Sequence, residues 1–167
     1  MDWTDWLKQL GRYILVMVLQ VFLFDHLQLF GICHPYIYVL CLLMMPITLR
    51  HSTDMLIGAG AGLLMDIFSN SLGIHMAACV FILFIRRYLL GLLANDRDRL
   101  NEQISMNAIG FAAMLEYVVI LVLLHHGIVF LLAAWSWRYI GLVMLETVVS
   151  SLLTISVIIG YNALKYK

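Results

Sequence analysis

Long apolar runs broken by short polar stretches set the pattern of this chain. Six runs approach the roughly 20 apolar residues that a membrane helix needs. They cover about Gly11 to Phe30, Pro35 to Leu49, Asp54 to Phe68, His75 to Leu93, Ile104 to Leu124 and Tyr139 to Ala163. The second and third are short, but flanking residues can snorkel to let a short run span. Pro35 suits the first turn of the second helix. Between the fifth and sixth runs lies GIVFLLAAW, Gly127 to Trp135. It is too short to span alone, so it lies in the interface or extends the fifth helix. The longest polar stretch is NDRDRLNEQ, Asn95 to Gln103, which reads as a solvated connector or a docking surface. No tandem repeat stands out.

Composition changes the reading from helical to membrane-embedded. Hydrophobic residues make up 63% of the 167, and charged residues only 12%. Soluble domains carry about 25% charged residues, and a soluble fold this apolar would expose large patches that invite association. The fold class expected is therefore an all-α integral membrane protein of six transmembrane helices in one domain. The basic residues orient it. With both termini in the cytoplasm, Lys8, Arg12, Arg50, Arg86, Arg87, Arg97, Arg99, Lys165 and Lys167 fall inside and only Arg138 outside, as the positive-inside rule asks. Trp3, Trp6, Tyr13, Tyr161 and Tyr166 mark the inner interface, and Tyr36, Tyr38, Trp135, Trp137 and Tyr139 the outer one. Arg86 and Arg87 fit poorly, because they sit inside the fourth run. Either they snorkel inward or the helix leaves the membrane there. A formal net charge of zero gives no electrostatic case for nucleic acid. No small-residue cleavage site follows the first run, so no signal peptide is read. Cys33, Cys41 and Cys79 form no C-x-x-C and read as small core or interface residues.

In the third run, Asp54, Gly58, Gly62 and Asp66 recur every four residues and share one slowly drifting helix face. Gly58 and Gly62 form a G-x-x-x-G pair, which lets a neighbouring helix approach backbone to backbone. That neighbour is either another helix of this chain or one of a partner. Asp66 stands near the outer end of the helix, followed by Ser69, Asn70 and Ser71 as hydrogen-bond partners. It ties the helix to the following turn, or it contacts a ligand or partner. Gly73 supplies positive φ to that turn.

Other polar residues lie within the runs. Gln20 is expected to bond across a helix interface. Glu116 and Glu146 are expected to be protonated or hydrogen-bonded between helices, for example with Ser150, Ser151 and Thr154. A proton relay would instead require them to share a cavity. His26, His34, His75, His125 and His126 all fall at the outer side. No acid or cysteine is read at ligand spacing with them, so no metal site is expected. No nucleophile–base pair, phosphate loop or H-E-x-x-H motif is read, and neither catalysis nor a cofactor is expected.

The order of motifs resembles a known family. VLQVFLFDHLQLFGICHPYIYVLCLLMMPI leads into LIGAGAGLLMDIFSNSLGIHMAACVFILFIRRYLL. The early L-Q, the P-Y-x-Y opening of the second run and the spacing of Gly62, Asp66 and Gly73 resemble the rod shape-determining MreD family, and the likeness covers most of the chain. The apolar outer segment after the fifth run departs from that pattern. The resemblance implies a non-catalytic scaffold of the bacterial cell-elongation complex in the inner membrane. Such a scaffold binds MreC directly and, through the complex, RodA, a class B penicillin-binding protein and actin-like MreB. It would help position peptidoglycan synthesis and maintain rod shape. The family's fold is similar to the substrate-binding subunits of energy-coupling-factor transporters. That likeness leaves a vitamin-transporter subunit as the alternative, with an outer cavity lined by Tyr36, Tyr38 and the histidines.

Overall fold

The computed structural model describes residues 3–24, 31–45, 50–93 and 109–165. Every regular element described is a helix or a helical turn. Helix α1 (Trp3–Leu19) runs into a π-helical turn (Gln20–Phe24). Then follow α2 (Val39–Leu43), α3 (His51–Phe68), α4 (Ile74–Leu93), α5 (Phe111–Ala134), a 3-10 turn (Trp137–Tyr139) and α6 (Ile140–Lys165). Among the described residues, three helical stretches, Ile74–Leu93, Phe111–Ala134 and Trp137–Leu164, are long and apolar enough to cross a membrane. Leu10–Phe24 is a shorter apolar helix. α3 is long enough but carries His51, Asp54 and Asp66, which lower its hydropathy.

Three boundaries depart from the sequence reading. α1 begins at Trp3 rather than Gly11; residues 25–30 of that run lie outside the described set. α5 starts at Phe111 and continues to Ala134, absorbing most of GIVFLLAAW. It closes where Trp135 turns into the left-handed region at φ 41°, its N–H donating to Leu131 O at 3.2 Å. Residues 104–108 and the 95–103 connector lie outside the described set.

The largest correction concerns the second run. Among its described residues, 35–45, it is helical only over Val39–Leu43, about 7.5 Å of rise against a hydrocarbon core of about 30 Å; residues 46–49 lie outside the described set. Met44 and Met45 turn away from the helix. Pro46 gives the reason, because the residue before a proline is pushed out of the helical region. This segment is the centre of the molecule: every residue from Tyr36 to Met45 is buried.

α4 and α5 pack against α2, and side chains of the α1 turn and of α6 reach the segment. α3 and α4 form one hairpin, α5 and α6 another, and α4 packs on α5. Arg12 Nη1 donates to Tyr161 Oη at 3.3 Å, which sets the middle of α1 beside the last turns of α6. The glycine face of α3 is what lets the first hairpin close. A Cβ on Gly62 would lie 2.6 Å from His75 O and Met76 N, and one on Gly58 2.5 Å from Leu83 Cδ1. The helix facing the G-x-x-x-G pair is therefore α4 of the same chain. Gly58 and Gly62 are buried and offer no surface to a partner. The opposite face of α3 exposes Leu56, Leu63, Leu64, Ile67 and Phe68, as a helix bathed in lipid would.

Candidate functional site

The central segment brings an irregular backbone into an apolar interior. Its polar groups need partners, since an unpaired buried N–H or C=O costs about 1–3 kcal/mol. Side chains from the surrounding helices supply them at both ends. At the start, Gln20 Oε1 accepts from Ile37 N–H at 2.6 Å and Tyr38 N–H at 3.3 Å, while its Nε2 donates to Pro35 O at 3.1 Å. Gln20 belongs to the π-helical turn of α1 and is fully buried. Such turns recur at functional sites in helices. On the α6 side, His34 N–H donates to Ser150 Oγ at 2.9 Å.

At the far end, Arg86 and Tyr117 take the carbonyls that α2 leaves open. Tyr117 Oη donates to Leu43 O at 2.9 Å. Arg86 Nη2 donates to Met45 O, and its Nε to Tyr117 Oη at 3.1 Å. A cation at a helix C-terminus also suits the helix dipole. Arg86 is 1% exposed, so it neither snorkels nor marks the end of α4, which continues to Leu93. Its neighbour Arg87 pairs with the buried Asp54 at 3.1 Å. Asp54 Oδ1 and Arg86 Nη1 have no partner among the described residues.

Between these ends lies an aromatic and histidine hub. Tyr38 Oη stands 2.7 Å from His125 Nε2, 3.2 Å from His75 Nδ1 and 3.4 Å from Cys79 Sγ. The ring of Tyr36 meets His75 edge-on at 4.9 Å between centroids and His126 at 5.2 Å. His126 Nδ1 lies 3.0 Å from Val122 O, and its Nε2 3.3 Å from Thr154 Oγ1. Tyr38, His125, His126 and Cys79 have no exposed surface. Sequence spacing missed this hub. His75 and Cys79 are one helical turn apart on α4, which is ligand spacing, contrary to the reading of the histidines given above. Cys79 Sγ also lies 3.9 Å from His125 Nε2, a thiol–imidazole pair that no local motif reveals. Even so, no three of His, Cys, Asp and Glu among the described residues are grouped to hold a metal ion, and the Tyr38 hydroxyl sits among the three side chains.

Asp66 adjoins this hub through His75 and holds the turn before α4. Its Oδ1 accepts from Ser71 Oγ at 2.6 Å and His75 N–H at 2.9 Å, and its Oδ2 from Met76 N–H at 2.9 Å. It thus caps the start of α4, where free N–H groups and the dipole both favour an anion. The turn follows the expected chemistry: Asn70 takes φ 51° and Gly73 φ 80°.

The two glutamates are placed differently from expectation. Glu116 falls early in α5, on its exposed face, and Glu146 is half-buried on α6. Ser150 and Thr154, expected as their partners, bond to His34 and pair with His126. Ser151 Oγ has no partner among the described residues. The chain was compared with protein-family profiles, with curated proteins and with solved structures, and no match was found in any of the three.

Proposed function

We propose that this chain is a non-catalytic scaffold embedded in a bacterial inner membrane, crossing it six times with both termini in the cytoplasm. In this reading it acts in cell elongation as MreD-family proteins do. It binds the membrane segment of MreC and, through it, joins RodA, a class B penicillin-binding protein and MreB. What supports the reading is how the buried polar side chains are used. Gln20, Tyr117, Arg86 and Asp66 are committed to backbone groups of the same chain. They make a fixed body around a broken central segment. Irregular backbone at membrane depth is tolerated only when buried in protein in this way. The motif order of the first seventy-odd residues supplies the likeness to the family. Binding surfaces for MreC are then sought on the lipid-facing sides of α1, α5 and α6, because the glycine face of α3 is occupied by α4.

Affinity purification in mild detergent, with the bound chains identified, tests this. The scaffold reading expects MreC in the eluate, and rounded cells when the protein is depleted from a rod-shaped host. Unchanged cell shape with no MreC recovered would reject it. Recovery of a vitamin with an ATPase module would favour the transporter reading instead.

A further inference from the structure

Around the end of α2, three helices present buried polar atoms that bond to nothing in the chain. Among the described residues, Arg86 Nη1 of α4, Asp54 Oδ1 of α3 and Asn162 Oδ1 of α6 have no hydrogen-bond partner. Each of these residues is at most 1% exposed. Their other atoms fix where they stand. Arg86 Nη2 donates to Met45 O. Asn162 Nδ2 lies 3.5 Å from Sδ of the adjoining Met44 and donates to Ile158 O at 3.1 Å. Asp54 Oδ2 is held at 3.1 Å by Arg87, the neighbour of Arg86 on α4. The bond to Ile158 O also fixes the amide of Asn162, since a flipped side chain would set oxygen against oxygen. The free atoms are therefore one charged donor and two acceptors, one of them charged.

A charge buried without a bond is among the costliest arrangements a fold can hold. Unsatisfied side chains in a native interior point to bound water or an ion. A simple anion would satisfy Arg86 and be repelled by Asp54. A metal cation would satisfy the two oxygens and meet two guanidinium groups. Water both donates and accepts, and buried water makes about three hydrogen bonds to groups orphaned in this way. We propose that internal water is bound at the end of α2, accepting from Arg86 Nη1 and donating to Asp54 Oδ1 and Asn162 Oδ1. The water ties α3 and α6 into the clamp that Arg86 and Tyr117 make on α2. It also lets the guanidinium and the carboxylate stay ionised inside the bundle. The site does not depend on the partner reading above.

The test is polarisation transfer from water by solid-state NMR, on isotope-labelled full-length protein in lipid bilayers. The side-chain signals of Arg86, Asp54 and Asn162 should build up well ahead of the methyl of Ala78, which has no exposed surface. A gadolinium chelate confined to bulk water should bleach the exposed Arg12 and leave Arg86 and Asp54 unbleached. Asn162→Leu removes one anchor of the water, so the early build-up at Arg86 and Asp54 should be lost while the thermal transition is kept. A build-up at Arg86 no faster than at Ala78 would overturn the site, and that reading needs no variant. Bleaching of Arg86 by the chelate would overturn it too, by making the group part of the surface. The same holds for an unchanged build-up at Arg86 in a folded leucine variant.

Discussion

Replacing Asp66 by alanine strands three donors at once: the Ser71 hydroxyl and the His75 and Met76 N–H groups. Loss of a helix cap costs about 0.5–2 kcal/mol, and burial of the orphaned donors pushes this towards about 3 kcal/mol. Asp66→Asn keeps one acceptor oxygen and turns an amide N–H₂ towards a donor, so its loss should fall between alanine and wild type. Thermal unfolding in detergent measures both; an asparagine variant as unstable as alanine would mean that charge outweighs bonding. The two glycines of α3 differ in what stands opposite. At Gly62 it is the backbone of α4, which cannot move aside, whereas at Gly58 it is the end of the Leu83 side chain. Gly62→Ala should therefore cost about 1–3 kcal/mol as an overpacked contact, and Gly58→Ala clearly less. Equal melting temperatures for the two variants would contradict the close approach at Gly62.

The element most changed from its sequence reading is the second run, and its ends show why. An unbroken apolar stretch gives no periodicity to separate a spanning helix from a buried short one. Pro46 was the available signal, and the surrounding hydrophobicity masked it. Arg86 was unreadable for a related reason: its partners are carbonyls of a helix end that the sequence reading had not placed there. The turn after α3 was easier, since Asn70 and Gly73 are residues that tolerate positive φ. The G-x-x-x-G spacing announced a close neighbour but not whose, because only tertiary structure assigns it to α4. The clamp on α2 makes its own prediction. Tyr117→Phe removes the donor to Leu43 O and an acceptor of Arg86, and Arg86→Met removes the donor to Met45 O. Each should destabilise by about 1–3 kcal/mol, and the double variant should show a coupling of about 0.5–3 kcal/mol. Additive losses would mean that the two side chains act on α2 independently.

Across the whole molecule, polarity is inverted relative to a soluble fold. Arg86, Asp54, His125 and Asn162 are inside, while Leu56, Leu63, Leu145 and Leu152 face out. That arrangement suits a hydrocarbon solvent, and a membrane imposes a further order: the helix ends must divide between two faces. The bond between Arg12 and Tyr161 sets the middle of α1 beside the last turns of α6, and the α3–α4 and α5–α6 turns lie at the opposite end of α6. Single cysteines at Trp3, Leu72, Trp137 and Leu164, all exposed, read this directly through an impermeant maleimide on intact spheroplasts. Cys33, Cys41 and Cys79 are buried, and the unsubstituted protein serves as the blank. Positions 72 and 137 should label from outside, and positions 3 and 164 only after the membrane is opened. Labelling of position 3 or 164 on intact spheroplasts, or protection of position 72 together with them, would contradict the account.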